Sequence, residues 1–178
     1  MAKTNQFVFK ALHIVAWLIF VGLSIEAGGL LVNFVFSIFK PDIVQRLYQK
    51  LDLSAMYARS EWAFYGMYSY ILVIAVLKAV MFYVVIQLMS KIDLQKPFSQ
   101  LVSNKISSIS YYTLFIGLLS FSAKLSAKTL QHYGYDTNNL NQFWADSDAF
   151  ILMAAVIYII AIIFRKGIEI QNENDLTV

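Results

Sequence analysis

Four apolar runs, each close to or beyond the length needed to cross a bilayer, constrain this chain more than any other feature of its sequence. They lie at about residues 11–39, 62–90, 106–127 and 147–164, and a tail of residues 165–178 follows. A bilayer has a hydrocarbon core of about 30 Å, which takes roughly 20 residues of helix to cross. Inside it every backbone polar group must be satisfied within the segment, so long apolar runs become helices. Charged residues make up only 14% of the chain, against about a quarter in a soluble domain. The expected fold is all-α: one integral membrane domain, a four-helix transmembrane bundle with the lipid bilayer as its solvent.

The first run, Ala11 to Phe39, is roughly 43 Å long as helix, so it must tilt or project. Glu26 interrupts it and it exceeds the apolar core of a signal peptide, so it reads as a retained anchor. Pro41 ends it. Between Asp42 and Arg59, the residues Ile43, Val44, Leu47, Tyr48 and Leu51 recur at helical spacing, with Gln45, Arg46 and Gln49 on another face. That pattern predicts a short interfacial helix in the first outer loop. Pro97 suits the first turn of the third helix, and Phe98, Leu101, Val102, Ile106 and Ile109 follow at helical intervals. Asp146 and Asp148 stand where the fourth helix should begin, and Arg165 and Lys166 mark its exit.

Basic residues beside the span ends set the orientation. Lys3, Lys10, Lys91, Lys96, Lys105, Arg165 and Lys166 gather on one side, which predicts cytoplasmic termini. The opposite side carries most of the acids and a belt of Tyr57, Trp62, Tyr65, Tyr68, Tyr133, Tyr135 and Trp144.

Charges within a span are the sharpest functional signal, since each costs several kcal/mol unless it finds a partner or water. Glu26, Lys78 and Lys124 qualify. At ~1.5 Å per residue Glu26 lies roughly 22 Å and Lys78 roughly 18 Å from the terminal face, against roughly 27 Å for Lys124. The expectation is an intramembrane Glu26–Lys78 ion pair, with Lys124 as the alternative partner. Such a pair either fixes helix register or serves a proton or ion relay; the first reading is preferred, because one compensated pair makes no continuous path.

Other chemistry is thinly represented. The chain has no cysteine, which excludes disulfides, thiolate metal sites and cysteine nucleophiles. Its two histidines, His13 and His132, fall at opposite faces and cannot share a metal or haem. A net charge of +3, scattered along the chain, gives no argument for direct nucleic-acid binding. No metalloprotease, nucleophile-elbow, dinucleotide or phosphate-loop motif occurs. No catalytic, cofactor-binding or metal-binding residue is therefore assigned, and the protein is not expected to be an enzyme.

Two segments carry a resemblance: the link Lys91-Ile92-Asp93-Leu94-Gln95-Lys96-Pro97-Phe98-Ser99, and the C-terminal run Ile168 to Val178, which closes on Glu173-Asn174-Asp175-Leu176-Thr177-Val178. Together they resemble domain-of-unknown-function family 2975, small bacterial four-helix membrane proteins. The resemblance runs from the end of the second span onward and gives Glu26 no role. It implies a bacterial inner-membrane location and a cytoplasmic partner, a small helix-turn-helix regulator. Lys96, Pro97, Phe98, Glu173, Asp175, Leu176, Thr177 and Val178 are the residues expected to dock that partner. A terminal apolar residue with a free carboxylate can add as a strand or enter a backbone nest; it can equally fray. The expectation is a non-enzymatic regulatory or interaction protein; the alternative is a small transporter or proton-coupled channel built on Glu26 and Lys78.

Overall fold

The computed structural model describes residues 2–48, 51–92 and 98–176, with side chains resolved over 7–40, 42–48, 51–92 and 98–173. Four helices are long and apolar enough to cross a membrane. They are α1 (Ala2–Phe39), α3 (Glu61–Lys91), α4 (Gln100–His132) and α5 (Ser147–Leu176). A short α2 (Ser54–Arg59) and two 3-10 turns, Pro41–Arg46 and Asn138–Phe143, occupy the loops on one face. The opposite face carries the start of α1, the end of α3, the start of α4 and the end of α5; the two are called here the loop face and the terminal face.

Local chemistry sets the boundaries. The Ser60 hydroxyl accepts the Ala63 N–H at the start of α3, where Glu61 also favours the helix dipole. Ser99 does the same for α4 through Val102 N–H. At the far end of α4, Gly134 takes φ +79° and its N–H returns to Gln131 O, closing the helix in a left-handed turn. Pro41 follows α1 and opens the first 3-10 turn.

The long helices lie side by side in chain order: α1 packs on α3, α3 on α4 and α4 on α5, with no extended contact between α1 and either α4 or α5. α1 touches α3 through Ala16, Ala27, Leu30 and Ser37. Tyr68 donates its hydroxyl to Leu30 O at 3.1 Å, and Phe34 stacks on the Tyr68 ring at 5.6 Å. Elsewhere α1 faces outward, with Ile14, Leu18 and Ile25 more than half exposed. In a membrane that surface meets lipid and carries no penalty.

The seam between α4 and α5 has a different logic. Ser103, Ser110 and Gly117 recur every seven residues on α4; Ser147, Ala154 and Ala161 do so on α5, and all six are buried. Ser110 donates to Ala154 O at 2.9 Å, which fixes the antiparallel register. Small residues let helix backbones approach closely, and a seven-residue period keeps them on one left-handed seam. A Cβ built on Gly117 would stand 2.7 Å from Ile151 Cγ1 and 3.0 Å from its backbone nitrogen.

The loop face is closed by protein. Val44, Leu47, Leu51, Leu53 and Met56 are buried against Phe64, Met67, Tyr68 and Ile71 of α3, and Leu140 and Trp144 join them from the second loop. The single interfacial helix expected from the spacing of Ile43, Val44, Leu47, Tyr48 and Leu51 is not formed: a 3-10 turn ends at Arg46 and α2 starts only at Ser54. The apolar side chains Val44, Leu47 and Leu51 turn into the mouth of the bundle instead of the membrane surface. Tyr48 lies against α1 at Gly29, where a Cβ would come within 2.6 Å of the ring. Arg59 ties the two loops together: its guanidinium donates to Tyr133 O at 2.7 Å and Gly134 O at 2.8 Å, and lies 4.4 Å from the Tyr135 ring centroid. The planar fork thus caps the exposed carbonyls at the end of α4 while stacking on an aromatic face, a combination that lysine does not reproduce.

Candidate functional site

The contacts of Leu30 with Tyr68 and of Phe20 with Tyr83 set the register of α1 against α3 and place Glu26 and Lys78 about one helical turn apart in depth. They do not meet. Among the described residues the ion pairs are Lys124–Asp148 and Lys166–Glu169. The cause is rotation about the helix axes. Lys78 shares its stripe of α3 with Ile71 and Ile74 above and Met81 and Val85 below, which points it away from α1. Its ammonium lies over the Phe150 ring of α5, 5.6 Å from the centroid. Lys124, the alternative partner for Glu26, instead lies 3.9 Å from Asp148 in the first turn of α5. Both side chains of that pair are largely exposed at the loop face, where an ion pair contributes little.

This geometry makes a measurable prediction. In a double-mutant cycle on thermal stability, Glu26→Gln and Lys78→Met should be additive within ~0.5 kcal/mol, as separate sites are. A coupling above ~1 kcal/mol would mean that the two charges pair in the membrane.

The docking residues divide by position. Lys96, Pro97, Thr177 and Val178 lie outside the described residues, as do the side chains of Asp175 and Leu176. Phe98 is described, and its ring rests in a notch on α5: a Cβ on Gly167 would fall 2.5 Å from Phe98 Cδ1, and the Phe164 ring is 5.3 Å away centroid to centroid. Phe98 at the end of the link and Gly167 at the start of the tail, distant in sequence, therefore meet at the terminal face. The small cluster of Val102, Ile106 and Ala161, with Leu88, Ile92 and Phe164 packed on it, supports this junction from within the bundle. α5 leaves the bundle as one unbroken helix to Leu176, which commits the backbone of Asp175 and Leu176 to helix rather than strand addition. Glu169 and Glu173 are exposed and share a face of that helix. Glu169 draws the Lys166 ammonium to it and raises its proton affinity.

Two loop acids that flank a small hollow of about 180 Å³ have local roles. Asp52 accepts the Ser54 N–H and Asp136 the Asn138 N–H, each closing its own turn. The bonds from Ser54 hold the Asp52 carboxyl below its ordinary value. No three His, Cys, Asp or Glu side chains converge on a metal-sized site among the described residues. His13 is partly buried near the terminal face and His132 exposed near the loop face, at opposite ends of the bundle.

Sequence reasoning passed over Arg59, Gly167 and the seven-residue repeat of small residues. The repeat was available as a signal, hidden among the other hydroxyl residues of α4. The other two needed knowledge of which distant segment lies opposite.

No curated protein and no solved structure matches the chain. A family model described as a protein of unknown function, DUF2975, matches residues 46–178, from the first outer loop through α3, α4, α5 and the tail. With four helices suited to a bilayer and a match over most of its length, this chain belongs to the DUF2975 family and is a multi-pass membrane protein.

Proposed function

We propose that this protein is a non-enzymatic regulatory or interaction protein of the bacterial inner membrane, with both termini cytoplasmic, that holds a soluble partner at the terminal face. The observation that carries the reading is the seating of Phe98 against Gly167 and Phe164. It anchors the end of the link on α5 just before the C-terminal run that begins at Ile168. That run presents Glu169, Glu173 and Ile170 to solvent, an acidic helix with an apolar residue beside it. A partner with a basic rim around an apolar groove suits such a helix. The family resemblance implies a small helix-turn-helix regulator, with nucleic acid contacted by the partner and not by this chain.

Crosslinking capture from cells tests the reading. Intact protein should recover a soluble partner; a chain truncated after Asn172 and a Phe98→Ala variant should each recover at least fivefold less at equal membrane abundance. Equal recovery by all three would remove the terminal face from consideration. A second reading, a small transporter or proton-coupled channel, draws support from Glu26 and Lys78, two intramembrane charges without an ionic partner among the described residues. Proteoliposome flux that disappears in Glu26→Gln or Lys78→Met would favour it.

A further inference from the structure

Beside Lys78 lies a groove of about 330 Å³, walled by α3, α4 and α5 and lined by Met81, Val85, Ile109, Phe150, Met153 and Ile157. Thr113 also borders it, with its hydroxyl already donated to Ile109 O, so the walls are apolar throughout. Lys78 continues the stripe of Met81 and Val85 by one helical turn and stands over Phe150, itself a lining residue. The groove is thus an open apolar trough, with the Lys78 ammonium beside Phe150 at its margin. Among the described residues that cation has no carboxylate within ion-pair distance.

We propose that this groove binds a single-chain lipophilic carboxylate, with the chain along Met81, Val85 and Ile157 and the carboxylate on the Lys78 ammonium. The charge selects the head: a mid-span ammonium is stabilised by an anion brought into the same low-dielectric site. The volume lies at the small end of ligand cavities, which take about 300–1,000 Å³, and so accepts one chain rather than two. From Lys78 to Val85 the wall runs ~10 Å at ~1.5 Å per residue, the reach of a medium-length chain. The proposal concerns the bundle interior and is independent of partner docking at the terminal face.

The test is equilibrium binding of radiolabelled decanoate to the full chain in nanodiscs of zwitterionic lipid, with protein-free discs subtracted. Saturable binding is expected, displaced by unlabelled decanoate and not by decanol, which has the chain without the charge. Lys78→Met should weaken it at least tenfold. Val85→Trp keeps the cation and fills the groove, and should weaken it as much, so the idea remains testable if Lys78→Met fails to fold. Binding no greater than in protein-free discs, equal displacement by decanol, or undiminished binding by Val85→Trp would each overturn the proposal. So would an anionic phospholipid, followed by native mass spectrometry, whose retention depends on Lys78 when decanoate binding does not.

Discussion

Phe64→Ala is expected to cost about 3–5 kcal/mol. Phe64 is fully buried in the first turn of α3, with the rings of Tyr57, Tyr65 and Tyr68 at centroid distances of 5.3, 5.0 and 5.6 Å. Those rings belong to different structural parts: Tyr57 to the loop segment that closes the mouth, Tyr68 to the α1 contact through Leu30. Removing the ring leaves a cavity that neither part can fill without releasing the other. The measurement is thermal unfolding in detergent, combined with protease cleavage between residues 41 and 60, which should rise as the segment loosens. Trp62, two residues earlier and 89% exposed, is the control. Trp62→Ala should leave the unfolding temperature and the cleavage rate near those of the parent, and an equal loss from both variants would show that Phe64 has no special place.

The second large effect is at the α4–α5 seam. Gly117→Val should destabilise by about 2–3 kcal/mol, the upper part of the range for overpacking a close interface. The clash is with backbone as well as side chain, since a Cβ would sit 3.0 Å from Ile151 N, so rotamer change alone cannot relieve it. The helices must move apart, and the Ser110 bond to Ala154 O lies one heptad away on the same seam. Gly28→Ala makes the contrast: nothing lies within 4 Å of a Cβ there, and the better helix propensity of alanine should leave stability equal or raise it by up to ~1 kcal/mol. Thermal unfolding of the two variants side by side decides the matter; equal behaviour would mean that the seam does not require its glycine.

How far the fold is legible in the sequence depends on what a pattern can encode. The apolar runs and Pro41 announce four membrane helices, because length and composition alone decide what a bilayer accepts. Rotation about each axis is harder to read. In water, an apolar stripe must face protein; in a membrane, lipid satisfies it equally well, so the spacing of Val44, Leu47 and Leu51 predicts an apolar face without saying that it closes the bundle mouth. The same ambiguity governs Lys78. Depth along the helix is countable, and the count placed Lys78 level with Glu26; azimuth is not, and the side chain turns to Phe150. The link and the tail are legible as separate segments; the contact of Phe98 with Gly167 is encoded in neither by itself.

The side-by-side order of α1, α3, α4 and α5 bears on how the protein is made. Each long helix after the first packs on the long helix synthesised just before it, so these contacts have low sequence separation and small loop-closure entropy. The chain can assemble from its first helix onward, hairpin by hairpin, in step with its own translation.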